Sequence, residues 1–253
     1  MTTRRLTKAW EYGQRKLYGY SFAEDRFFER SSRSLLTAEE SFGTDVERFL
    51  NVHIENPLSN YLDAVAEGTL VQNHPWVQER ALILSMLFQS MRVGAGRGDV
   101  EATQKLKELL TKDASFLDQL AIGSRTMFRF VGAKIGHGQH LFFPADGVAA
   151  LPMIGAPAKT PGMMFQPTTM KTFFAGIPSN VPEGVAEEQL HTAMANGTIV
   201  AFSVGLICDR VIIPPPIRGR DESDIKRGLL ELRAAARGFV QVIAKANRVV
   251  GLS

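Results

Sequence analysis

Polar and apolar residues alternate over residues 14–20 (Gln14-Arg-Lys-Leu-Tyr-Gly-Tyr20), the period of a half-buried strand. A turn at Ala23–Asp25 and a return at Arg26–Arg30 predict a hairpin. The period then lengthens. Thr44-Asp-Val-Glu47 is a capping box that predicts a helix start, which Pro57 should kink or divide before it resumes towards Glu67 and Gly68. Asn73-His-Pro-Trp76 predicts a second start, with Asn73 as cap and Pro75 in the first turn. From Ala81 to Val93 apolar residues fall on almost every side, the pattern of a buried central helix. The glycines at 94–98 end it. Asp99 opens a solvated helix to Leu110, and Asp113 another to about Phe130.

Residues 141–178 break the helical pattern. This stretch is rich in proline yet carries short apolar bursts, which predicts strands wrapped on a helical body. A short helix should follow over Gly184–Asn196, stopped by Gly197. Thr198–Ile207 suits either a strand or a helix extension, and Pro214-Pro-Pro216 reads as a polyproline break. Asp221–Val249 predicts a last helix with acids in its first turn. The fold expected is one α+β domain over residues 1–253. It is a mainly helical body with a small antiparallel sheet made from the hairpin and residues 141–176.

Composition changes this picture little. Hydrophobic residues make up 45% of 253 and charged ones 22%, as in ordinary globular chains. The lone Cys208 excludes an internal disulfide and sits in an apolar run, so an inert buried thiol is expected. No signal-peptide core follows the basic start and no apolar run spans a bilayer, so the expected setting is the cytoplasm, without a membrane partner.

Charge matters more. The net charge of +3 is uneven: residues 218–248 hold eight Lys or Arg against four acids. On the last helix, Ile225, Leu229, Leu232, Ala236, Phe239, Ile243 and Val250 share one side. Lys226, Arg233, Arg237 and Arg248 lie opposite, flanked by Arg227 and Lys245. That basic face fits a protein or other anionic partner. Nucleic acid is open to it as well, although no recognition motif supports one.

Chemistry is sparse. Gln89 and Arg92, three apart, share a face of the central helix, and Glu55 is the expected partner of Arg92. Together they form a polar pocket, or else a structural ion pair or surface-exposed groups. Asp146, alone among apolar neighbours before Gly147, is either a turn carboxylate or one presented at a strand end. His137 and His140 are spaced too loosely for a metal site, no nucleophile elbow occurs, and no cofactor is expected.

The order of pieces is nevertheless familiar. Gly13 to Tyr20, Glu39-Glu40-Ser41-Phe42, His53-Ile54-Glu55, Gln89-Ser90-Met91-Arg92, Phe142 to Asp146 and Phe165-Gln166-Pro167-Thr168-Thr169 resemble a widespread bacterial and phage family of uncharacterised function, over residues 13–215. That family opens with His-His-x-x-Pro, absent here. Its Ser-Asp-Asn-Pro turn is reduced to Ala145-Asp146-Gly147-Val148. The resemblance implies a mostly helical α+β fold and a role in phage–host conflict. The function expected is a non-catalytic binding or regulatory protein. The alternative is an unrecognised or degenerate enzyme with a pocket at Glu55, Arg92 and Asp146.

Overall fold

The computed structural model describes residues 7–32, 51–59, 79–87, 114–145, 149–153, 162–206 and 208–249, with 62, 76, 104 and 108 besides. It holds two four-stranded antiparallel sheets. Strands β1 (Lys16–Ser21), β2 (Arg26–Ser31), β4 (Phe143–Pro144) and β8 (Arg210–Ile212) form the first, in the order β2-β1-β8-β4. Strands β3 (Phe128–Lys134), β5 (Ala149–Leu151), β6 (Met163–Pro167) and β7 (Thr172–Pro178) form the second, in the order β3-β7-β6-β5. The α+β class therefore stands, but a mainly helical body with one small sheet does not. The proline-rich stretch is split between the sheets. β4 reaches the hairpin only through β8, while β5, β6 and β7 pair with β3.

Local chemistry explains each piece. β1 buries every residue but Lys16, because it lies between β2 and β8. Only glycine fits at position 19: a Cβ there would stand 2.3 Å from the Phe28 ring and 2.5 Å from the Val211 carbonyl oxygen. β2 is an edge strand and carries Arg26, Glu29 and Arg30 outward, as edges that resist mispairing do. β7 buries all seven residues, so this inner strand is covered on both faces and shows no polar alternation. Phe130 of β3 stacks on Phe174 of β7 with ring centroids 5.5 Å apart.

Among the described residues the helices match their signals with corrections; the expected starts at Thr44 and Asn73, the stop at 94–98 and most of the helix from Asp99 to Leu110 lie outside them. At Pro57 the chain forms a π turn over Asn51–Glu55. Pro57 cannot donate to the carbonyl four residues back, and the Arg80 guanidinium donates to that His53 oxygen instead, at 3.3 Å. Residues 81–86 are fully buried, as an apolar-all-round helix requires. Helix α1 (Ala114–Met127) stops before the expected end and gives way directly to β3. Helix α2 (Glu183–Ala195) ends at Gly197, whose φ of +77° suits glycine, and α3 (Thr198–Ser203) starts there as a helix. Helix α4 (Pro215–Arg218) uses Pro215 and Pro216 in its first turn, so the prolines start a helix and do not form a polyproline break. Helix α5 (Glu222–Val249) buries Ile225, Leu229, Ala236 and Ile243. No helix of the described residues is long and apolar enough to cross a membrane.

A row of phenols ties the hairpin to the start of α5. Tyr12 donates to Glu29, which also accepts Lys16 at 2.5 Å and Arg218 at 3.4 Å. Tyr18 donates to Glu222 at 2.8 Å, and Tyr20 donates to Asp25, the partner of Lys226 at 2.8 Å. Burial, then the carboxylate bonds, push Tyr12 and Tyr20 from 10.0 up to about 12, and raise Tyr18 as well. Folded values above the unfolded one contribute stability fully present below pH 10 and lost as pH rises towards 12. The melting temperature is therefore expected to hold up to about pH 10, then fall steeply as tyrosinate absorbance appears. Tyrosinate forming at ordinary phenol pH without loss of structure would contradict this tie.

Candidate functional groove

Helix α5 does more than fill the core. Asp224, Gly228, Leu232, Ala235, Phe239 and Val242 recur every three or four residues along one flank of its buried stripe. From first to last that flank is about 27 Å long at 1.5 Å per residue. It forms one wall of a groove with a volume of about 780 Å³. Thr198, Val200 and Ala201 of α3, the turn at Asn196 and Gly197, and the segment from Gly138 to Phe142 make the other wall. Pro216, Ile217 and Arg220 close the α4 end.

Small side chains make the hollow. A Cβ added at Gly228 would meet nothing within 4 Å, and Ala235 is exposed. Val242 is 63% exposed on the rim, an uncovered apolar side chain continuous with the trough. Phe239 packs edge-on against Phe202, centroids 5.8 Å apart.

Polar groups gather at one end. Burial and the cations of Lys171 and Arg220 push the His140 imidazole below its ordinary value, which favours its neutral form. The Lys171 ammonium donates to the Gln139 carbonyl. Gln139 itself has a buried Oε1 without a hydrogen-bond partner. Asn196 Oδ1 accepts the Thr198 amide at 3.0 Å and its hydroxyl at 2.6 Å, so that carbonyl is satisfied. Asp224 is paired with Arg227 at 2.5 Å. Arg220 forms no side-chain ion pair among the described residues.

The residues expected from sequence fall differently. Glu55 ends the π turn Asn51–Glu55, while Gln89, Arg92 and Asp146 lie outside the described residues. Cys208 is buried, as expected. No group of three or more His, Cys, Asp or Glu that could hold a metal occurs among the described residues, and His137 is exposed. The basic face of α5 divides. Arg233 donates to the carbonyls of Gly205, Leu206 and Cys208 at 3.2, 2.7 and 3.0 Å, and stacks 3.9 Å over the Phe22 ring. Lys226 and Arg227 have partners within the chain. Arg237, Lys245 and Arg248 are exposed and form no ion pair among the described residues. The groove was missed because no motif marks it; its only sequence signal is a glycine and an alanine beside the apolar stripe.

Comparison with family models, curated proteins and solved structures yields no match to this chain.

Proposed function

We propose that the chain is a binding protein whose ligand lies along α5 in the groove. One observation carries this: a mainly apolar hollow of about 780 Å³, within the range of small-molecule sites, kept open by Gly228 in a helix interior where glycine is unfavourable. The polar end argues against catalysis. A general base is normally oriented by a carboxylate, whereas the charges that act on His140 are the cations Lys171 and Arg220. An anionic partner on the outer face of α5 is a second reading, narrowed by exposure to Arg237, Lys245 and Arg248.

Gly228→Leu tests the groove. The new side chain enters open space, and replacing a helical glycine adds about 0.5–1 kcal/mol of stability. The variant should melt a few degrees higher while its capture of an anilinonaphthalene sulfonate dye falls at least about tenfold, a loss of about 1.4 kcal/mol in binding. Gly238→Leu, at an exposed position of α5 that does not line the groove, should gain stability and keep the dye. Equal dye binding by both variants would remove the groove as the site.

A further inference from the structure

We infer that the groove takes a single-chain amphiphile with one carboxylate head, seated at the α4 end against Arg220 and His140, its alkyl chain lying along α5. This rests on the groove being the binding site.

The trough is continuous along α5 for about 27 Å, and Leu232, Phe239 and Val242 line its course with apolar surface that suits an extended chain of methylenes. Each buried methylene contributes about 0.8 kcal/mol.

Charge sets the head and the direction. The far end of the groove, at Val242, is apolar and open. The α4 end holds the Arg220 guanidinium, without an ion pair among the described residues, and the Lys171 cation acts on the same His140 ring. Asp224 also lines this end, but its carboxylate is paired with Arg227 and leaves no unmet demand for a cation. A guanidinium matches a carboxylate with two parallel hydrogen bonds. A doubly charged phosphate would call for more cations than one guanidinium facing the groove.

Calorimetric titration of the full chain with dodecanoate, decanoate and dodecanol, all below micelle formation, decides the matter. Dodecanoate should bind, and each methylene removed should weaken binding about fourfold. Arg220→Gln, at an exposed position, should weaken dodecanoate about tenfold or more and leave dodecanol unchanged. Gly228→Leu should abolish both. If dodecanol binds as tightly as dodecanoate, or Arg220→Gln shifts both alike, the head assignment falls and the groove stands. If Gly228→Leu still binds dodecanoate, the groove itself falls. Binding of an acidic amphipathic peptide but of neither amphiphile would overturn the inference in favour of a protein partner.

Discussion

Arg233→Ala should destabilise the protein by about 3 kcal/mol, read as a lower urea midpoint at unchanged slope. The guanidinium donates to three carbonyls just beyond α3, where the chain turns through Gly205 at a φ of +79°. A cation at that helix end also complements its dipole. Truncation leaves these oxygens without a donor and uncovers Phe22. Arg233→Lys should recover less than half of the loss, since an ammonium cannot present a planar fork or stack on the ring in the same way. Arg237→Ala, exposed four residues on, should change stability by no more than about 0.5 kcal/mol. Full rescue by lysine would show that charge alone is needed there.

Trp10→Ala should cost about 4 kcal/mol, the usual size for losing a buried aromatic. Trp10 is fully buried, its indole donates to the Leu141 carbonyl at 3.0 Å, and its ring lies 5.1 Å from Phe143. It therefore pins the 3-10 turn Lys8–Trp10 to the start of the β4 segment, 131 residues away in sequence. Trp10→Phe separates packing from the hydrogen bond. It keeps most of the apolar contact but leaves the carbonyl unmet, at about 1–3 kcal/mol. A calorimetric melt of both variants gives the division, and a neutral phenylalanine variant would assign the whole effect to packing.

Local signals carried much of the fold. The alternation at 14–20, the caps and acids around Asp221 and the terminator Gly197 correspond to β1, α5 and the α2–α3 junction. Asp221 does accept the Ser223 hydroxyl and amide, which hold its carboxyl below the usual range. Apart from the prolines at 214–216, which start a helix, the failures are non-local. β3 continues the apolar pattern of α1 without Gly or Pro between them, and only its pairing with β7, some forty residues on, makes it a strand. β8 has three residues and gains meaning from lying between β1 and β4. Two strands that depend on distant partners thus look in the sequence like helix tail and loop, which hides the size of the sheets. On α5 a helical wheel groups Arg233 with Arg237, because both point away from the apolar stripe. It cannot show that Phe22 and three carbonyls come to meet one of them. The groove is legible only in the negative, as missing side-chain volume at Gly228 and Ala235.

The place of β8 between β1 and β4 has a consequence for synthesis. About 190 residues separate the end of β1 (Ser21) from the start of β8 (Arg210). At about 10 residues per second the ribosome needs on the order of 20 s to cover that distance. Throughout this time the hairpin can form, but one side of β1, with buried-type residues Leu17, Tyr18 and Tyr20, has no strand beside it. The nascent chain therefore carries an open apolar edge throughout that interval, and the charged residues of β2 guard only the opposite side. A truncation before Arg210 should accordingly come off the ribosome as aggregate or chaperone-bound chain.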